Sequence, residues 1–194
     1  MRTSARFNEA LVYASELHAG QRRKGSGAPY ISHLLGVTAI VLEHGGSEDE
    51  AIGALLHDAV EDQGGAPRLE EIRRRFGPVV AEIVDGCTDS DTTPKPPWRE
   101  RKEAYIAQVS DAGRSAQLVS AADKLYNARS TIDDYRVYGE SVWQRFTAGR
   151  EGALWYFRTI ATRFDKLQGT PLLGQLERAV AELEHLAAAG RGET

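Results

Sequence analysis

Leu55-Leu56-His57-Asp58-Ala59-Val60-Glu61-Asp62 places one imidazole and three carboxylates among apolar residues. At about 100° per residue, Ile52, Leu55, Leu56, Ala59 and Val60 share a continuous apolar stripe. His57, Asp58, Glu61 and Asp62 fall on the opposite arc as two i,i+4 pairs. A solvated acidic face is the ordinary reading of such a helix. Two features set it aside here. No Lys or Arg occurs between Ser47 and Pro67, so these carboxylates lack a local cation at helical spacing. Ala51 and Ala54 share their arc, and small residues suit the close approach of another helix. Acidic groups facing protein need positive charge among them, and a divalent metal is the economical source.

Helical periodicity extends outward in both directions. Ser47 and Glu50 have capping-box spacing, which predicts a helix from there to about Asp62, stopped by Gly64-Gly65. Upstream, residues 5–19 read as a first helix, 20–29 as a glycine-rich loop and 31–44 as a largely buried second helix. Downstream, helices are expected over 69–76, 78–85, 98–109, 116–132, 142–146, 151–164 and 172–188. Residues 86–97, rich in Thr and Pro, read as a stiff loop. No run alternates convincingly enough for a strand, so the fold class is all-α. One domain spans 1–189, its motif-bearing core at about 5–135, with a frayed tail at 190–194.

Composition narrows the function. The 194 residues are 41% hydrophobic and 27% charged, with 28 acidic against 24 basic residues and a net charge of −4. That is ordinary for a globular domain and argues against a nucleic-acid partner, while a local basic patch remains able to hold a small anion. Cys87 is the single cysteine, which excludes an intrachain disulfide and fits a reducing, cytoplasmic setting. Neither a signal-peptide core nor a run of 18 apolar residues is present, so no membrane association is expected.

Two distant residues could join His57 and Asp58. His33 lies near the start of the second helix in Pro29-Tyr30-Ile31-Ser32-His33, and Asp123 lies within an apolar helix, with Asn127 one turn on. Taken alone, His33 reads as a core or capping histidine and Asp123 as a partner for Lys124 or an Arg. Spacing does not bring them together. The ordered set His33, His57-Asp58 and Asp123 nevertheless resembles the signature of the HD phosphohydrolase superfamily. His18 and Gln21, Arg23-Lys24, Pro29 to His33, Ala54 to Asp62, Phe76-Gly77, Val84-Asp85-Gly86 and Ala122 to Asn127 are similar to the hydrolase domain of RelA/SpoT enzymes. They also resemble the stand-alone small alarmone hydrolases.

The resemblance implies a (p)ppGpp 3′-pyrophosphohydrolase. Its metal ligands would be His33, His57, Asp58 and Asp123, holding one divalent ion, Mn²⁺ in the family. Glu61 and Asp62 would activate or orient water, Arg23 and Lys24 would contact the nucleotide, and Asn127 its ribose. The donor set suits the chemistry, because imidazoles and carboxylates leave open positions for water and a phosphoryl oxygen. The sequence departs from the pattern in a loop one residue longer between Lys24 and Tyr30, and in Leu34, Asp89 and Tyr126. These departures bear on the base pocket and leave the ligands intact. Other readings keep the site with a nucleoside monophosphate or the 2′-phosphate of NADPH as substrate, or make it a nucleotide-binding regulator. His18, His44 and His185 could supply a second metal but read rather as a hydrogen-bonding side chain and two surface positions, and a di-iron oxygenase on the same fold would need two irons. A lower-ranked basic group at Arg99, Arg101 and Lys102 could border the cleft, and the aromatics from Trp143 to Phe157 read mainly as core. The last helix packs on the domain or on a second copy in a homo-oligomer.

Overall fold

Ser47 starts its helix in the way its spacing to Glu50 predicts. The Glu50 amide donates to Ser47 Oγ at 3.2 Å, and the Ser47 amide donates to Glu50 Oε2 at 2.7 Å. In the computed structural model, which describes residues 4–92 and 94–190, this helix is one of a wholly helical set. The elements are α1 (Ala5–Leu17), α2 (Ile31–Glu43), α3 (Glu48–Leu56), α4 (Ala59–Gln63), α5 (Gly65–Phe76) and α6 (Pro78–Cys87). They continue with α7 (Trp98–Asp111), α8 (Arg114–Tyr138), a 3₁₀ segment (Gly139–Arg145), α9 (Gly149–Ala161), a short 3₁₀ turn (Asp165–Leu167) and α10 (Pro171–Ala189). Extended pairing among the described residues is confined to one bridge between Arg22 and Pro29, so the all-α expectation holds. No helix among these residues is long and apolar enough to cross a membrane.

The helix expected from Ser47 to Asp62 is two helices, broken at His57-Asp58. The ring Nδ1–H of His57 donates to the Ala54 carbonyl at 2.8 Å, supplying that oxygen from outside the backbone ladder. Asp58 stands at φ −96°, ψ −2°, and the ladder restarts with the Asp62 amide on the Asp58 carbonyl at 3.0 Å. Of the polar arc, His57 is buried, Asp58 and Glu61 are half-buried and Asp62 is exposed, while the small residues beside them are enclosed. Ala51, Ile52, Ala54, Leu55 and Leu56 are all at 0% exposure, so α3 is buried on every side.

Two apolar clusters flank α3. One gathers Ile52, Leu55 and Leu56 with Ala14 of α1, Ile72 and Phe76 of α5 and Val80 of α6. The other gathers Ala54 with Val37 of α2, Tyr105 of α7, Leu125 of α8, Ile160 of α9 and Leu176 of α10. Helix α8 runs through the second cluster against α2, α3, α6 and α10. Small residues allow the close crossings. A Cβ on Gly53 would lie 2.6 Å from Ile83 Cγ2, and one on Gly86 2.7 Å from the Ala116 methyl.

Other boundaries moved for physical reasons. Helix α8 continues six residues past the expected end at Ile132, because its last turns are largely exposed and carry no apolar stripe to read; Val137 is 73% exposed. Gly139, at φ +57°, ends it. The helix expected over 142–146 is a 3₁₀ segment, and α5 starts at Gly65 rather than Leu69. Helix α10 packs on α8 and α9 of its own chain, burying Leu172, Leu173, Leu176 and Leu183. Of the expected tail at 190–194, residues 191–194 lie outside the described residues.

Candidate metal centre

Three separated segments meet beside α3. His33 comes from the first turn of α2, His57 and Asp58 from the break between α3 and α4, and Asp123 from the middle of α8. His33 Nε2 lies 3.4 Å from Asp58 Oδ2 and 3.3 Å from Asp123 Oδ1. His57 Nε2 lies 3.1 Å and 3.7 Å from the same two oxygens. Ligating atoms of His33, His57 and Asp58 all fall within 4.8 Å of one another. His33, His57 and Asp123 are buried, and Asp58 half-buried. The four groups expected to converge do so.

The electrostatics of this cluster call for a cation. With its Nδ1–H committed to Ala54, a neutral His57 would turn the Nε2 lone pair toward carboxylate oxygens, and that buried nitrogen has no hydrogen-bond partner. Burial opposes charging of His57, yet the adjacent Asp58 and Asp123 hold its pKa well above the usual imidazole range. Burial likewise opposes the charged form of Asp58, but His57 and His33 hold that carboxyl well below its usual value. Asp123 behaves in the same sense, against burial, through Lys124 and the two imidazoles. A proton on the imidazole supplies in part what a divalent ion would supply fully. Borderline nitrogen and hard oxygen donors in this number fit such an ion.

Outer partners hold these side chains in place. The Tyr30 hydroxyl donates to Asp58 Oδ2 at 2.6 Å. Lys124 Nζ reaches Asp123 Oδ2 at 2.5 Å, and Asn127 Nδ2 donates to Asp123 Oδ1 at 2.6 Å. Arg23 Nη2 donates in turn to Asn127 Oδ1 at 2.9 Å, with its guanidinium 5.6 Å from the Tyr126 ring centroid. Arg23 and Asn127, singled out far apart in sequence, thus form one chain leading to the centre. Lys24 stands apart, exposed on the loop.

Glu61 and Asp62 diverge on α4. Lys95 Nζ binds Glu61 Oε1 at 2.7 Å, and Arg101 Nη1 lies 3.7 Å from the same oxygen. Absence of local basic residues did not leave Glu61 uncompensated; its cations come from the 86–97 loop and α7. Burial raises the Glu61 pKa, Lys95 pulls it back, and Asp89 adds to the rise. Asp62 Oδ2 accepts from Gln21 Nε2 at 2.7 Å.

Of the lower-ranked basic group, Arg101 and Lys102 turn inward onto Asp89, Lys102 at 2.5 Å, while Arg99 pairs outward with Glu103. Lys95 gave no sequence signal beyond being a lone cation between prolines. Arg145 gave none either, yet its guanidinium fills the space a Cβ on Gly25 would need, so the 3₁₀ segment closes on the Arg23 loop. Aromatics Trp143, Tyr156 and Phe157 are buried, as expected, and the Tyr156 ring lies 4.7 Å from Lys102 Nζ. No second metal set forms around the other histidines among the described residues. His18 Nδ1 is engaged by Gln21, and His185 is exposed on α10. A cavity of about 720 Å³ between α6, α7 and the start of α8 has Glu82, Asp85, Asp89, Asp91 and Asp111 against Arg114 among its lining residues, an acidic excess ill suited to a polyanion.

An all-helical scaffold that draws two histidines and two aspartates together in this order defines the HD-domain class. The chain belongs to that family: the HD domain matches residues 10–154. Within it the chain is similar to the guanosine-3′,5′-bis(diphosphate) 3′-pyrophosphohydrolase MESH1 of Homo sapiens, 37% identical over 183 residues that cover 93% of each protein. The Xenopus tropicalis protein of the same name is 44% identical over 124 residues, 62% of this chain and 66% of that one. A solved structure of a metazoan ortholog of SpoT, described as hydrolyzing ppGpp with a role in starvation responses, superposes with a TM-score of 0.78 at 28% identity. That match covers 94% of this chain and 97% of the other. The resemblance read from the motifs is borne out.

Proposed function

We propose that this protein is a metal-dependent phosphohydrolase that removes the 3′-pyrophosphate of (p)ppGpp, yielding GDP or GTP. The observation that carries the reading is the convergence of His33, His57, Asp58 and Asp123, with the buried His57 Nε2 facing carboxylate oxygens and no donor. Those four side chains would hold one divalent ion, Mn²⁺ by the family resemblance. When bound, the ion supplies Lewis acidity toward a phosphoryl oxygen and eases deprotonation of water.

The chain's own groups carry the rest. Water replaces the 3′-oxygen on phosphorus, releasing one proton and requiring one at the departing oxygen. Glu61 has Oε1 occupied by Lys95 and Arg101, which leaves Oε2 to accept the proton, and burial, which raises its pKa, makes it a stronger base than an exposed carboxylate. Asp62, braced by Gln21, orients the water. Arg23 beside Asn127, and Lys95 and Arg101 beside Glu61, bring positive charge toward the site of a protein of net charge −4, which suits a polyphosphate. Arg23 and Lys24 contact the nucleotide and Asn127 its ribose. The catalytic unit is residues 1–189, working in the cytoplasm.

Purified protein incubated with Mn²⁺ and ppGpp is expected to release pyrophosphate; no release above a His57→Ala control overturns the reading. Orthophosphate as product would point instead to a monoester such as a 2′-phosphate. Glu61→Gln and Asp62→Asn are expected to retain metal and lose turnover, measured by elemental analysis beside the assay.

A further inference from the structure

Gln21 lies outside the set of groups assigned to metal, base or nucleotide, yet its placement is tightly determined. Its amide N–H donates to the His18 carbonyl and its carbonyl accepts from the Tyr30 amide, both at 3.0 Å, so the backbone is pinned on either side. The side chain then makes three contacts at once. Nε2 donates to Asp62 Oδ2 at 2.7 Å, and Oε1 receives Gln63 Nε2 at 2.8 Å and His18 Nδ1 at 2.7 Å.

Chemistry allows one orientation of this amide. A carboxylate at Asp62 only accepts, so the NH₂ end of Gln21 must face it. The oxygen then faces His18 and Gln63, which obliges His18 to carry its proton on Nδ1. His18 is 2% exposed, and its ring stacks on Tyr30 at 5.2 Å between centroids and 20° between planes. Tyr30 in turn donates to Asp58. One buried histidine therefore supports both the amide that holds Asp62 and the phenol that holds a metal-binding aspartate.

We infer that Gln21, locked by His18 and Gln63, is a positioning residue that aims the Asp62 carboxylate at the reacting water. The inference rests on the reading of Asp62 given under the proposed function. The three side-chain contacts of Gln21 are to Asp62, Gln63 and His18; it selects one rotamer of Asp62 and offsets its charge with a donor. Supports of this kind around metal sites contribute roughly ten- to a hundredfold to activity.

Gln21→Glu is the decisive variant. It is isosteric and keeps an oxygen for the His18 and Gln63 donors, so bracing of the loop survives. It replaces the donor facing Asp62 with a second carboxylate oxygen. With saturating Mn²⁺ and ppGpp, kcat is expected to fall at least about tenfold while KM stays within about twofold, and Gln21→Leu is expected to behave likewise. In crystal structures of the Mn²⁺-loaded proteins, Asp62 is expected to leave its wild-type rotamer in Gln21→Glu while the four metal-binding side chains hold theirs. A kcat within threefold of wild type in Gln21→Glu, a loss confined to KM, or an unmoved Asp62 overturns the inference. If wild type releases no pyrophosphate from ppGpp, the proposed substrate falls, and the Asp62 rotamers still decide whether Gln21 positions it.

Discussion

Glu61 is a carboxylate held between opposing influences. Burial raises its pKa, the Lys95 ammonium at 2.7 Å lowers it, and Asp89 raises it again. As the proposed base it must be ionised to accept a proton, so turnover is expected to fall as pH drops through that pKa. Lys95→Met removes the lowering contribution, and the acidic limb of the kcat profile is expected to move to higher pH than in wild type. Kinetics at saturating substrate and metal across pH 5–9 check this, and a limb that stays put or moves down contradicts it. The type of residue at 61 could be read from the chain, but its partner could not. Lys95 is 34 positions away in a proline-rich loop, and no periodicity relates it to α4.

Helix α3 shows how an element is specified by its ends and its neighbours. Its start was legible, because a capping box acts within four residues. Its end was not, because the break at His57-Asp58 is made by a side chain turning back on Ala54 in response to the groups gathered there. Its interior carries Gly53 against Ile83, where a methyl group would meet Cγ2 at 2.6 Å. Alanine for glycine within a helix gains about 1 kcal/mol of propensity, whereas overpacking a buried β-branched side chain costs about 1–3 kcal/mol. Gly53→Ala is therefore expected to lower Tm by a few degrees in thermal unfolding, while Gly20→Ala, whose Cβ would meet nothing within 4 Å, is not.

For the molecule as a whole, His33, His57, Asp58 and Asp123 tie α2, the α3–α4 break and α8 together at one point. An ion that binds only the folded chain raises its stability by about 2.7 kcal/mol at a hundred times Kd. For a domain of this size that corresponds to a Tm increase of about 5–10 °C. Saturating Mn²⁺ is expected to produce such a rise by differential scanning calorimetry and EDTA to reverse it. His57→Ala is expected to lose the response. An equal rise in that variant would place the ion elsewhere.

Helical class, most element starts and the identities of His33, His57, Asp58 and Asp123 were already present in the linear chain. Periodicity, capping and motif order act over a few residues or survive as ordered letters. What folding alone settled is which groups face one another. Local patterning left the cation of Glu61 unnamed, the brace on Asp62 unread and the reach of Arg145 invisible, since each joins segments far apart in sequence. Even the continuity of the central helix yielded to its surroundings. Long-range charge compensation and packing have no period to read, and they exist only once the helices have met.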